Sequence, residues 1–161
     1  MRIATFVFLL SSTLFAQATP SLTFRGEQQS KHATIATAPA DLSAPAGGKV
    51  TLFLDVTPKT GIHVYAPGSE NYIPITIKLT APADLKAGKT VYPKAETMTF
   101  ADERVPVFQK PFRLTQEVTL GKTVKAGSTV NIAGTVNLQA CDDRVCYPPE
   151  NVPVTWNVLV K

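Results

Sequence analysis

Hydrophobic and polar residues alternate with a period of two along most of the chain. Val50 to Val56 shows this alternation, and Ile73 to Leu79 repeats it. Three later stretches share the pattern, at 112–120, 130–140 and 152–160. A period of two sends successive side chains to opposite faces of the backbone, so each stretch predicts a β-strand with one buried face.

Glycine and proline stand where the predicted strands should end. Turn-forming runs occupy 46–48, 57–61, 81–84, 121–122 and 126–128. No stretch of helical length carries apolar residues at i, i+3, i+4 and i+7, and the chain contains 13 prolines. We therefore predict an all-β fold, an immunoglobulin-like antiparallel β-sandwich of about seven to nine strands, with a closed barrel as the alternative.

The first residues have the features of an export signal. Arg2 supplies a positive charge, Ile3 to Leu10 is apolar, and Ala16 to Ala18 fits a small-x-small cleavage pattern. The apolar part is shorter than the roughly 20 residues that span a bilayer. We expect a signal peptide over 1–18 and a periplasmic or secreted mature protein, with no stable membrane insertion after cleavage.

The rest of the chain reads as a flexible lead-in over 19–32 and one domain over 33–161. The formal net charge is +4, and the basic residues are scattered without a dense run. This distribution argues against a nucleic-acid partner. No motif indicates a bound cofactor.

Both cysteines of the chain lie in one short stretch, LQACDDRVCYPPE, at Leu138–Glu150. They fall between the last two predicted strands. If Asp143 and Arg144 form the turn, Cys141 and Cys146 face each other with Cα atoms about 4.5 Å apart. A disulfide can close at that separation, at the short edge of the usual range.

Three interpretations of this pair are open. A structural clip is common in exported proteins, but a link that closes only six residues adds little entropy-based stability. A redox-active disulfide fits a short, easily reduced loop better. No histidine neighbours either sulfur in the sequence, so we expect no strongly activated nucleophile. Metal binding would need further ligands from His32, His63, Met98 or the aspartates, and none of these lies at a recognised ligand spacing. We expect His63 to be a surface or packing residue.

Several stretches resemble one protein family. QACDDRVCYPPENVPV is similar to the carboxyl-terminal signature of the amino-terminal periplasmic domain of DsbD, the thiol:disulfide interchange protein. GIHVYAPG, YPKAETMTF and VFQKPFRLTQEVTL look like earlier stretches of that domain, in the same order. The resemblance covers about Leu42 to Val160. It implies an immunoglobulin-like fold whose cysteine pair passes electrons from a thioredoxin-like donor to periplasmic disulfide acceptors.

The resemblance also implies roles for single residues. Cys146 would form the mixed disulfide with partners, and Cys141 would be the resolving thiol. The stretch 100–104 would cover the cysteines as a cap loop, with Phe100 as the shield, although Phe100 can equally be a core residue of a strand. The predicted cap loop and docking surface comprise Phe100, Asp102, Glu103, Tyr147 and Pro148.

We therefore expect a stand-alone exported protein thiol–disulfide oxidoreductase. Its partners would be thioredoxin-like redox proteins and a membrane electron carrier of DsbD type, encoded elsewhere. The alternative is a non-catalytic β-sandwich that binds a protein partner and carries a local structural disulfide.

Overall fold

The computed structural model describes residues 27–39, 41–80 and 84–161. The predicted signal peptide and the lead-in as far as residue 26 lie outside the described residues.

Within these residues the regular structure consists of strands. Thirteen are present, and most are short. They are β1 (Glu27–Gln29), β2 (Ala33–Ala38), β3 (Leu42–Ala44), β4 (Lys49–Pro58), β5 (His63–Tyr65), β6 (Thr76–Thr80), β7 (Lys86–Val91), β8 (Glu96–Phe100), β9 (Glu103–Phe108), β10 (Phe112–Thr119), β11 (Thr129–Leu138), β12 (Ala140–Cys141) and β13 (Glu150–Val160).

The strands form three sheets. One has five strands in the order β1-β2-β4-β10-β7, and a second has four in the order β3-β13-β11-β6. A smaller sheet has the order β12-β5-β9-β8. Strands β13 and β3 pair in parallel, and the other described pairs are antiparallel.

The first two sheets enclose the main hydrophobic core. Alternate residues of β4 and of β13 are buried, as the period of two predicts. Trp156 on β13 is 2 % exposed, and its Nε1 donates to the Phe53 carbonyl of the facing sheet at 2.9 Å. An apolar layer between two sheets with a satisfied indole is typical of a β-sandwich. The all-β, immunoglobulin-like prediction is confirmed.

Two predicted boundaries differ from the structure. Residues 27–29, assigned to the flexible lead-in, form β1 and pair with β2. The strand predicted from Ile73 begins only at Thr76, because the backbone N–H of Ile73 donates to the Gln139 side chain instead of a strand partner.

The small sheet, β12-β5-β9-β8, has its own hydrophobic cluster, and both cysteines lie in or against this cluster. Strand β11 ends at Leu138, and after Gln139 the chain enters β12, which pairs with β5. The strand predicted over 130–140 therefore ends two residues early, because the β11–β13 ladder stops at the pair Leu138–Glu150. The second cluster contains buried Tyr65, Val105, Val107 and Cys141, with Tyr72, Met98, Phe100 and Cys146 packed against it.

Candidate functional site

The two cysteines are joined in a disulfide whose Cα atoms are 4.0 Å apart. They form an isolated antiparallel bridge, so they do face each other across a tight reversal. Cys141 is 0 % exposed, whereas Cys146 is partly exposed. Of the two cysteines, only Cys146 therefore has surface that an incoming thiol could contact.

Asp142 organises the turn between the cysteines. Its Oδ1 accepts from the backbone N–H groups of Arg144 and Val145, both at 2.8 Å. Its Oδ2 accepts from the Tyr147 hydroxyl at 2.6 Å. This last bond, followed by the two backbone bonds, lowers the pKa of Asp142 to about 2, so the carboxylate is charged at neutral pH.

This role of Asp142 was missed from the sequence, where only Asp143 and Arg144 were considered as turn residues. An aspartate at the first position of a four-residue reversal is the available signal, since its side chain bonds backbone N–H groups two or three residues on.

Tyr147 ties the cysteine loop to the start of the described chain. Its ring stacks on His32 with centroids 3.9 Å apart and an interplanar angle of 17°. Glu150 Oε2 accepts from the Lys31 backbone N–H at 2.8 Å, and Glu150 Oε1 lies 4.0 Å from His32 Nε2. The predicted docking residue Tyr147 is thus partly occupied in bracing the loop, while Pro148 beside it is exposed.

A buried histidine and tyrosine lie behind the disulfide. The register of β12 and β5 pairs Cys141 with His63. The Tyr65 hydroxyl lies 3.6 Å from Cys146 Sγ and 3.4 Å from His63 Nε2. The sequence shows no histidine beside either cysteine, but the fold supplies His63 from another strand, opposite Cys141.

His63 and Tyr65 are both uncharged at neutral pH. Burial lowers the pKa of His63, against the raising effect of Asp143 and then Asp142. Burial, followed by the nearby Tyr72, raises the pKa of Tyr65 above its usual range. His63 is a packing residue, as expected, but it packs at the cysteine site. The two residues lie two positions apart on β5, so their side chains share one face of this strand.

The predicted cap loop is the two-residue hairpin between β8 and β9. Phe100 packs in the same cluster as Cys146, with its ring centroid 5.4 Å from that of His63 and 5.9 Å from that of Tyr72. Ala101 and Asp102 form the tip with φ of 48° and 64°. Both residues have the left-handed backbone conformation that a type I′ turn requires, and this conformation is sterically unfavourable for an alanine.

The acidic residues of this hairpin do not join the cysteine loop. Asp102 and Glu103 are exposed, and Glu103 Oε1 accepts from Asn71 Nδ2 at 2.8 Å. Of the predicted cap residues, the structure thus brings Phe100 to the cysteines and leaves the two carboxylates at the rim.

A groove with a volume of about 470 Å³ flanks the cysteine loop. Its walls are 60–62 on one side and 142–144 with Tyr147 on the other. Among the described residues, no three His, Cys, Asp or Glu side chains come together as a metal site would require. No helix there has the length and apolar character to cross a membrane.

The fold and the site define a class of protein, an immunoglobulin-like β-sandwich with a two-cysteine disulfide site at one end. Residues 31–155 match the family described as "Thiol:disulfide interchange protein DsbD, N-terminal", and the chain belongs to this family. The resemblance noted from the sequence is confirmed. No curated protein matches the chain.

Solved structures similar to it include two N-terminal domains. The N-terminal periplasmic domain of ScsB from Proteus mirabilis has a TM-score of 0.59 and 17% identity, over 82% of this chain and 49% of that one. This chain thus spans about half the length of that structure, and the likeness shows a shared fold. The Neisseria meningitidis DsbD n-terminal domain in the reduced form has a TM-score of 0.44 and 21% identity, over 70% of this chain and 77% of that one.

Proposed function

We propose that this domain exchanges thiols and disulfides through Cys141 and Cys146, passing electrons from a thioredoxin-like donor to periplasmic disulfide acceptors. The observation that carries the proposal is a closed disulfide between one buried and one partly exposed cysteine, in a loop too short to serve mainly as a staple. Membership of the family supports it.

The difference in exposure supports separate roles for the two cysteines. A donor thiolate attacks Cys146 Sγ, the Cys141–Cys146 bond breaks, and Cys141 leaves as a thiolate that takes up a proton. The donor's second thiolate then attacks the donor sulfur of the mixed disulfide and releases Cys146. The donor is oxidised by two electrons, and the cysteine pair is reduced by the same two.

The same steps run in reverse toward an acceptor. The Cys146 thiolate attacks the acceptor disulfide, and the acceptor's first sulfur leaves as a thiolate. Cys141, once deprotonated, attacks Cys146 Sγ, re-forms the intramolecular bond and releases the acceptor's second sulfur. The acceptor leaves as a dithiol. The electrons that this cycle consumes come from the donor, which a membrane carrier of DsbD type would in turn reduce.

Phe100 acts in this proposal as the shield of the reduced pair. Its packing against the cluster that contains Cys146 supports this role. A partner would displace the Phe100 hairpin and dock over Tyr147 and Pro148. In an oxidising compartment, such a cover limits the access of other oxidants to a dithiol.

Trapping of mixed disulfides tests the exchange. A Cys141→Ala variant leaves Cys146 free and should form a stable mixed disulfide with a thioredoxin-like protein, whereas the matched Cys146→Ala variant should form much less. The wild-type disulfide should have a reduction potential above about −300 mV. A bond that resists reduction, together with no trapped partner, would instead favour the non-catalytic binding module.

A further inference from the structure

Tyr65 connects the accessible sulfur to a buried imidazole. Its hydroxyl is within reach of Cys146 Sγ at 3.6 Å and of His63 Nε2 at 3.4 Å. The rings of Tyr65 and His63 meet edge to face with centroids 5.3 Å apart. Tyr65 is 0 % exposed and His63 is 2 % exposed, so water does not compete strongly for these contacts. The exchange steps above use neither residue.

The Tyr65 hydroxyl has one proton, and besides the nearby Tyr72 side chain it has two neighbours that can accept this proton, His63 Nε2 and Cys146 Sγ. A sulfur in a disulfide is a weak acceptor, so in the oxidised protein the hydroxyl donates to an unprotonated His63 Nε2. A thiolate on Cys146 is a charged and much stronger acceptor. The hydroxyl then donates to Cys146 Sγ, and its oxygen accepts from His63 in the tautomer that carries hydrogen on Nε2.

We propose that His63 is a positioning residue for Cys146, which orients the Tyr65 hydroxyl toward the sulfur and so favours the thiolate when the disulfide opens. This inference rests on the proposed function, because Cys146 becomes a thiolate only during exchange. It gives a reason for the buried polar pair His63 and Tyr65, which packing alone does not require. Two phenylalanines would fill the same space without polar atoms that need hydrogen-bond partners.

The charges around His63 and Tyr65 are compatible with this arrangement. Burial keeps both groups uncharged at neutral pH, as described above, so both can exchange hydrogen-bond direction without carrying a charge. The nearby carboxylates disfavour a thiolate, and they are the same in every variant compared below, so their effect cancels. The titratable groups that face the pair from other segments are Tyr72, Glu103, Cys141, Asp142, Asp143 and Cys146.

The pH dependence of Cys146 alkylation measures this effect. In a Cys141→Ala background, the rate with iodoacetamide rises with the thiolate fraction, and its midpoint gives the Cys146 pKa. His63→Phe removes the ring nitrogens and should raise the midpoint by about one unit, the worth of one hydrogen bond to a charged group. Tyr65→Phe should raise it equally, and the double variant no further, because the two residues act in series.

Two further variants separate positioning from packing. His63→Gln keeps an N–H donor and should restore much of the shift, which a purely structural role would not explain. His32→Phe is the matched control, because His32 stacks on Tyr147 and has no described contact with Tyr65; its midpoint should stay at the wild-type value.

An unchanged midpoint in folded His63→Phe, or shifts from His63→Phe and Tyr65→Phe that add, would overturn the inference. If His63→Phe does not fold, the ring-nitrogen chemical shifts of His63 in the wild-type protein decide the question. They should show hydrogen on Nε2 in the thiolate form and not in the disulfide form, and identical shifts would refute the proposal. None of these measurements involves a partner protein. If the Cys146 midpoint depends on His63 but the protein traps no partner, the proposed exchange is refuted and the positioning role of His63 still stands.

Discussion

Reduction of the disulfide should leave the domain folded, with only a modest loss of stability. The bond closes a loop of six residues, from Cys141 to Cys146. For that length, the chain-entropy relation gives about 2 kcal/mol at 25 °C. The bonds that shape the turn, such as Asp142 N–H to the Val145 carbonyl at 3.0 Å, do not depend on the sulfur–sulfur link, and the main core lies elsewhere in the sandwich.

The assay is urea unfolding of the oxidised and the reduced protein, followed by fluorescence of Trp156, the single tryptophan of the chain. The free energy of unfolding should fall by about 2 kcal/mol, which lowers Tm by roughly 5–10 °C in a domain of this size. By linkage, the reduction potential of the disulfide should be about 40 mV lower in the folded protein than in the unfolded chain.

The reduced wild-type protein is a better comparison than a double alanine variant, because replacing buried Cys141 by alanine also leaves a cavity that costs about 1 kcal/mol. The double alanine variant then serves as the control that measures this cavity cost. A reduced protein that is unfolded at 25 °C, or that loses more than about 4 kcal/mol, would mean that the bond is a structural staple and that the argument from loop length is wrong.

Substitutions at Asp142, Phe100 and Ala101 test the rest of the site. Asp142→Ala should speed reduction of the disulfide by dithiothreitol severalfold, because the turn loses its organising carboxylate, whereas Asp143→Ala should not; equal rates in the two variants would contradict this role. Since the folded-state pKa of Asp142 is lowered to about 2 from 3.8, the stabilisation by its carboxylate is complete above the higher value and is lost as pH falls through the lower one, which an acid titration of wild type against Asp142→Asn would show. Phe100→Ala should cost about 2 kcal/mol in unfolding free energy and raise the alkylation rate of reduced Cys146; an unchanged rate would argue that Phe100 is only a core residue. Ala101→Gly should stabilise the protein by about 1 kcal/mol, because glycine adopts a positive φ without strain, and a loss of stability in the same urea assay would show that the hairpin tip is unstrained.

The long strands were predictable because their burial alternates along the sequence. Strands β4, β10, β11 and β13 each bury every second residue over most of their length. A residue that must face the core on one side and water on the other leaves a period of two that needs no knowledge of its partners.

The site was predictable only in part. The spacing of Cys141 and Cys146 indicated that they could bond, since a short reversal brings them together. The contribution of β5 was not visible, because a strand of three residues that is buried throughout shows no alternation. That Tyr65 would reach Cys146 depends on how the small sheet packs, and no local pattern in the sequence encodes a contact across 81 positions.

The contacts of His32 and Glu150 have a practical consequence for anyone who shortens the protein. A version that starts at residue 33, where the sequence alone places the domain boundary, would keep every strand of the main core. It would lose the aromatic face on which Tyr147 rests and the backbone donor of Lys31 to Glu150. Such a truncation should fold and yet behave differently toward reductants, so expression of the domain should begin no later than Glu27.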